Sequence, residues 1–276
     1  MEERVPVVLA TQVKIGRETR QVIDKIKRTK IPLELSADVR SILAKPRVLP
    51  LTTEWHNMRG KLLTASAMAA CLGENVYCDS EALFKRKTNQ CEAFQGNTAT
   101  RWGQTYELEA SQVYSVLTGM TLINEPIGLI IHPYEKDGQK RYAATPDFIT
   151  TNGIVVEIKC PYSRRIRHEM PRHYVAQLQM QLEVTGAVVG HFVQYKPPGM
   201  NTDGVFDLIV VPRDPSWWVN SLPIFDDFWD RVVDWYQSSN RELGHRKITK
   251  DYSIDQQKAY DHVLKTKRDV YNFIQN

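Results

Sequence analysis

The sequence predicts a mixed α/β protein, a central β-sheet flanked by helices, preceded by a basic helical extension. Three observations carry that expectation. Segments rich in β-branched and aromatic residues recur between residues 121 and 211. Stretches with apolar residues at helical spacing precede, interrupt and follow them, and caps and glycines punctuate the boundaries. At 276 residues, 42% hydrophobic and 25% charged, the composition is that of neither a disordered tail nor a membrane protein. No apolar run approaches the roughly 18 residues of a spanning helix.

Residues 1–48 are expected to form a basic helical arm: Val22, Ile23 and Ile26 give a narrow apolar stripe, and Pro32 ends that helix. Pro46 and Pro50 bracket a connector, after which the globular pattern begins. Short helices are expected over 66–72, closed by Gly73, and over 80–87, opened by Asp79 or Ser80 as cap. A longer helix spans 102–117 and stops at Gly119, with Tyr106, Val113, Tyr114 and Leu117 on its packed side. Strands follow over 121–131, 142–150 and 154–160. Thr151-Asn152-Gly153 joins the last two as a hairpin, because Asn-Gly suits the positive φ angles of a tight turn. Val175, Leu178 and Leu182 mark a helix over 171–185, stopped by Gly186. Strands over 188–195 and 205–211 lead into a helix over 215–238, whose Trp217, Trp218, Trp229 and Trp235 are packing residues. The chain thus divides into an arm (1–48), a main domain (49–240) and a C-terminal extension (241–276), for which no function is assigned.

The N-terminus places two acids before a short apolar patch, unlike a secretory signal, so an intracellular protein is expected. Cys71, Cys78, Cys91 and Cys160 form no CxxC pair and are expected as reduced thiols. The net charge of +4 is modest, but two clusters stand out. One holds Arg17, Arg20, Lys25, Lys27, Arg28 and Lys30 against Glu18 and Asp24. The other holds Lys159, Arg164, Arg165, Arg167 and Arg172 against Glu169. A basic run alone describes a solvated face as well as a nucleic-acid contact.

The sharpest chemistry lies in the hairpin. Strand side chains alternate, so Glu157 and Lys159 share a face while Val156 and Ile158 point away. A turn at Asn152-Gly153 sets Asp147 opposite Glu157 to within about one residue. Two carboxylates beside a backbone carbonyl are hard oxygen donors that suit Mg²⁺ or Mn²⁺ rather than Zn²⁺. Such an ion serves phosphodiester hydrolysis, with Lys159 orienting or deprotonating a water, its pKa pushed down by the ion. The same spacing also fits an ordinary surface ion pair.

The pattern Pro146-Asp147, nine residues, Glu157-Ile158-Lys159 resembles the PD-(D/E)XK nuclease motif. More closely, the chain resembles the phage lambda exonuclease and YqaJ-type viral recombinase family. Four blocks carry this in the family's order over about residues 50 to 236: Trp55-His56-Asn57-Met58-Arg59 with Leu63-Thr64-Ala65-Ser66; Trp102-Gly103-Gln104-Thr105-Tyr106-Glu107; Thr145-Pro146-Asp147 with Glu157-Ile158-Lys159-Cys160-Pro161; and Ala176-Gln177-Leu178-Gln179. The resemblance implies a restriction-endonuclease-like core. It makes Asp147, Glu157 and the Ile158 carbonyl metal ligands, Lys159 the catalytic lysine, and Glu107 a helical acid joining the metal directly or through water. Glu109, two positions on, is equally acidic.

Gln177 matches the family's glutamine on the helix after the sheet, with Tyr174 one turn before it. Without the family, Gln177 is one of three exposed glutamines with Gln179 and Gln181. Arg59, Ser66 and Thr145 match residues that hold a terminal 5′-phosphate; independently, Thr64-Ala65-Ser66 opens a helix where an anion can meet N–H groups and hydroxyls. Ser66 as a plain N-cap is the alternative. Arg164, Arg165 and Arg167, with Arg172, then become phosphate-backbone contacts.

The resemblance thus implies a Mg²⁺-dependent 5′→3′ exonuclease, Mn²⁺ substituting, with one or two ions. It degrades one strand of linear duplex DNA and leaves a 3′ tail for recombination, repair or genome processing. Double-stranded DNA ends and a single-strand annealing protein are the implied partners, a trimer or a monomer the assembly, and the host cytoplasm or nucleus the location for a viral enzyme. Two rivals remain at this level: a structure- or sequence-specific endonuclease on the same core, and a non-catalytic DNA-end-binding protein.

Overall fold

The computed structural model describes residues 11–15, 37–50, 52–92, 96–123, 126–200 and 202–244. In chain order the elements are β1 (Thr11–Ile15), α1 (Ala37–Leu43), β2 (Arg47–Val48), α2 (Thr53–Gly60), β3 (Leu63–Thr64), α3 (Ala65–Cys71), α4 (Ser80–Lys87), α5 (Thr98–Thr118), β4 (Leu129–Ile131), β5 (Glu135–Lys136), β6 (Gln139–Lys140), β7 (Tyr142–Ala144), β8 (Phe148–Ile149), β9 (Val155–Lys159), α6 (Arg172–Thr185), β10 (Val189–Lys196), β11 (Gly204–Pro212) and α7 (Pro215–Ser238). The mixed α/β class is as expected, but the strands form more than one sheet. A five-stranded sheet runs β1-β11-β10-β9-β8, a four-stranded one runs β2-β4-β7-β3, and β5-β6 is a separate ribbon. Both larger sheets are mixed, with β9 parallel to β10 and β3 parallel to β7.

Local signals explain the helices. Asp79 caps α4 by accepting the Ala82 N–H at 2.7 Å, and Asn97 caps α5 by accepting the Thr100 N–H at 2.9 Å. Gly119 and Gly186 close α5 and α6 in the left-handed region that glycine enters without steric cost. Helix α5 lays Ala110, Val113 and Tyr114 on one face of the five-stranded sheet, against Val156, Ile158, Val193 and Leu208. Leu117, expected on that packed side, is exposed at the helix end. The opposite face receives α6, with α3 and α7 beyond it. Because α6 is enclosed, it is buried nearly all round rather than along a stripe, and Val175 is only half-buried. A Cβ at Gly190 of β10 would lie 2.9 Å from Leu178, so glycine there lets α6 ride close on the sheet.

Several boundaries differ from expectation. The arm is not wholly helical: Thr11–Ile15 is the edge strand β1, antiparallel to β11, because an open sheet edge outbids local propensity. The apolar stripe at Val22, Ile23 and Ile26 lies outside the described residues, as does everything after Gly244. Segment 121–131 is not one strand; it holds a bridge at Leu122 and then β4. Segment 142–150 is split, β7 in the four-stranded sheet and β8 in the five-stranded one. The chain crosses between sheets at Thr145-Pro146-Asp147, where proline has no N–H to give a ladder. In the β8–β9 turn only Gly153 takes positive φ, at 86°. The Thr150 N–H reaches the Ile154 carbonyl at 2.9 Å and the Gly153 N–H the Thr150 carbonyl at 3.0 Å, so Thr151-Asn152-Gly153 is the connecting loop, as expected.

Candidate active site

The β8–β9 register pairs Phe148 with Val156 and Ile149 with Val155, so continuing it sets Asp147 across from Glu157. One Asp147 oxygen accepts the Ile158 N–H at 2.8 Å, which fastens the acid to the strand that carries the other two motif residues. Val156 and Ile158 enter the α5-side core, while Glu157 faces α6 and is fully buried. That burial excludes the surface ion pair. Lys159 pairs with Glu157 Oε1. Loss of water pulls the Lys159 pKa down, but Glu157 and Asp147 outweigh it and leave the ammonium above its ordinary value. Asp147 is held above its ordinary range by loss of solvent and by the charges of Glu157 and Glu107.

Helix α6 supplies the amides. Gln177 Nε2 donates to Glu157 Oε1 at 2.5 Å, and Gln181 Nε2 donates to Glu157 Oε2 at 2.6 Å. Residues four apart lie above one another on a helix, so one face presents both donors to one carboxylate. Gln179 and Gln181 are buried, which corrects the expectation of exposed glutamines. Gln179 points elsewhere, donating to the Pro212 carbonyl at 2.9 Å. Tyr174 lies beside the site, its ring 5.1 Å from Lys159 Nζ and in tilted contact with the rings of His173 and Phe192. The contribution of Gln181 was legible only as an i, i+4 repeat with Gln177.

The two helical acids separate. Glu109 accepts the Tyr195 hydroxyl at 2.5 Å, whereas Glu107 acts electrostatically on Asp147. Among the described residues, no three His, Cys, Asp or Glu side chains gather into a ready-made metal cage. The donor set nonetheless fits an ion of the Mg²⁺ type, which takes one or two carboxylates and keeps several waters. Two carboxylates face one ammonium with a third acid nearby; burial first, and then the charges of Glu157 and Glu107, raise the Asp147 pKa.

A second group meets at the sheet crossover. The Arg59 guanidinium lies 4.4 Å over the Trp55 ring, and its Nη2 reaches Ser66 Oγ at 3.4 Å. The Thr64 hydroxyl is 3.5 Å from Ser66 Oγ, and the Trp55 indole N–H reaches Thr145 Oγ1 at 3.4 Å. Helix α3 starts at Ala65 with Thr64 at its N-cap position, so Ser66 is not the cap. Trp55 joins Arg59 to Thr145, a role its place in the motif did not reveal. The Gln181 amide also lies 3.4 Å from the Thr145 carbonyl, which connects this group to Glu157.

The basic run does not act as a unit. Arg164 donates to the buried Gln194 side chain at 2.7 Å, so it pins the loop rather than presenting charge. Exposed Arg172 makes a two-nitrogen contact with Glu74, and Arg167 lies 3.7 Å from Glu169. Arg165 and Arg167 are exposed.

The YqaJ-like viral recombinase domain model matches residues 54–188, a span that includes Trp55, Arg59, Glu107, Asp147, Glu157 and Gln181. Curated proteins from three African swine fever viruses match at 24–25% identity; one alignment covers 168 residues, 51% of this chain and 48% of the relative. The chain therefore spans about half the length of the curated relatives it matches. Two crystal structures of LHK-Exo, an alkaline exonuclease from Laribacter hongkongensis, superpose with a TM-score of 0.55, one of them in complex with dAMP. They are 23% and 22% identical and cover 68% of this chain and 95% and 96% of theirs. The likeness is one of fold.

Proposed function

We propose, from the premise that residues 54–188 are a YqaJ-like viral recombinase domain, that this chain is a metal-dependent 5′→3′ exonuclease. It would digest one strand of linear duplex DNA and leave a 3′ single-stranded tail for recombination, repair or genome processing. The observation that carries this reading is the junction of two groups: the Asp147/Glu157/Lys159 cluster and the Arg59/Ser66/Thr145 group lie on either side of one sheet crossover.

In this reading Asp147, Glu157, the Ile158 carbonyl and Glu107 would hold the ion, Mg²⁺ or Mn²⁺, in one or two copies. When bound, the ion polarises the scissile phosphate and lowers the pKa of a water. Lys159 would orient that water or a phosphate oxygen through Nζ. Gln177 keeps the Glu157 carboxylate from rotating. Arg59, with the hydroxyls of Ser66 and Thr145, receives the terminal 5′-phosphate as a charge-assisted clamp and so places the next phosphodiester at the acids. Water adds to phosphorus as the bond to the 3′ oxygen breaks. Tyr174 packs beside the lysine, and Arg165 and Arg167 offer phosphate contacts that weaken with salt. DNA ends are the substrate, and a single-strand annealing protein would take the tail.

Digestion of linear duplex labelled at the 5′ or the 3′ end, with and without Mg²⁺, tests the proposal. Mg²⁺-dependent release of 5′-label as the first product is expected, with closed circular DNA left intact. First release of 3′-label would refute the polarity, and linearisation of circles would favour an endonuclease.

A further inference from the structure

We infer that Gln181 is a positioning residue that couples the terminal-phosphate group to the acid cluster, an inference that rests on the nuclease reading above. Gln181 is fully buried, and its amide nitrogen faces two acceptors, one on β9 and one in the crossover between β7 and β8. One is Glu157 Oε2 on β9 at 2.6 Å; the other, longer and weaker, is the Thr145 carbonyl at 3.4 Å. Thr145 carries the hydroxyl that meets Trp55, and it precedes Pro146-Asp147. A single amide therefore touches both the crossover segment that bears one acid and the carboxylate of the other.

Two details separate this from ordinary packing. The Gln181 carbonyl oxygen is buried without a hydrogen-bond partner, a cost that a methionine of similar shape would avoid. Shape alone does not call for glutamine here. The second detail is the count of lone pairs on Glu157. Oε1 already accepts from Gln177 and from Lys159, while Oε2 accepts from Gln181. A carboxylate oxygen has about two acceptor sites, so the arrangement leaves Oε2 with one and fixes its direction. Partners that orient ligands in this way typically alter metal affinity or activity by about 10- to 100-fold when removed.

Gln181→Met removes the amide at nearly constant volume, and Gln179→Met makes the same change two residues away, where the amide bonds only to the β11–α7 connection. Two quantities are measured on the full chain: Mn²⁺ binding by calorimetry without DNA, and the rate ratio for 5′-phosphorylated over 5′-hydroxyl duplex. Gln181→Met is expected to weaken Mn²⁺ about tenfold and to shrink the ratio. Gln179→Met should lower the melting temperature and leave both quantities unchanged. Gln181→Asn keeps a buried amide but is one methylene too short to reach both acceptors; it should show the same losses, and it carries the test if the methionine variant does not fold. Wild-type Mn²⁺ affinity and end ratio in a folded Gln181 variant, equal losses in Gln179→Met, or no Mn²⁺ uptake by the wild-type chain would overturn the inference. A wild-type chain that binds Mn²⁺ but releases no nucleotide would instead refute the nuclease reading, and the titration would still judge Gln181.

Discussion

Two charge clusters in this molecule are built from similar parts and behave in opposite ways. Between β5–β7 and α7, Arg141 is buried and donates to Asp230 at 2.6 Å, with Asp226 and Asp137 each at 3.4 Å. Asp226 also accepts the Tyr134 and Tyr142 hydroxyls at 2.5 and 2.6 Å, and Lys136 meets Asp230 at 2.7 Å. Each inward-facing acid there touches a cation, and those contacts overcome lost solvent to hold Asp230 below its ordinary pKa. Around Glu157 one ammonium serves two acids, and Asp147 relies on a backbone N–H. It is held above its ordinary pKa. The first cluster gives each of these acids a cation, although the buried Arg141 Nε has no hydrogen-bond partner, and it fastens α7 to the sheet. The second sets two acids against one ammonium, the uneven arrangement to which the proposed function assigns a cation.

The sharpest way to break this contrast is Asp147→Asn, which can still accept the Ile158 N–H. Mg²⁺-dependent nucleotide release should fall at least about 100-fold, the scale of losing one electrostatic stabiliser, while binding to duplex ends persists and the metal-free melting temperature rises. Unchanged release would discard the metal assignment. Arg141→Met should do the reverse, since it removes a buried cation from the partly exposed Asp226 and Asp230: a loss of about 1–3 kcal/mol in denaturant unfolding, with release per folded molecule intact. Arg59→Ala carries the comparison to the pocket, where a stacked arginine faces hydroxyls. It should cost about tenfold in the preference for 5′-phosphate ends, the value of one charge-assisted hydrogen bond; an unaltered ratio would refute that role.

The smallest effect is one of sign. For metal-free protein, Asp230 titrates below 3.8 and Asp147 above it. The Asp230 contribution is therefore present above that value and is lost as pH falls through its folded-state pKa. Ionisation of Asp147 instead weakens the fold as pH rises from 3.8 through its own folded-state pKa. Melting temperature against pH for Asp147→Asn should lose the alkaline-side decline, and Asp230→Asn should lose the acid-side one. Matching profiles for the two variants would show the clusters to be equivalent.

Much of the site was legible because its signals are short-range. The Asp147–Glu157 pairing follows from alternation across one hairpin, and the start of α4 follows from a cap three residues from its partner. The reading failed where a distant element decides. Strand β1 is set by pairing with β11, nearly 200 residues later, and Arg164, in the loop after β9, is claimed by Gln194 on β10. Gln179 and Gln181 look alike in sequence, yet α6 turns one toward β11 and the other toward Glu157.

By itself, the sequence determined which residues could supply hard oxygen donors, an ammonium and a phosphate clamp, and it set two of those donors opposite each other, because the period of a strand and the span of a turn are properties of a few adjacent residues. Only the tertiary structure decided that Glu157 would be fully buried under two amides, that the chain would change sheets at Pro146, and that the Thr145 and Glu157 groups would share a glutamine. Those outcomes depend on burial and on contacts between segments far apart in the chain, where competition among packing partners sets each side chain's neighbour.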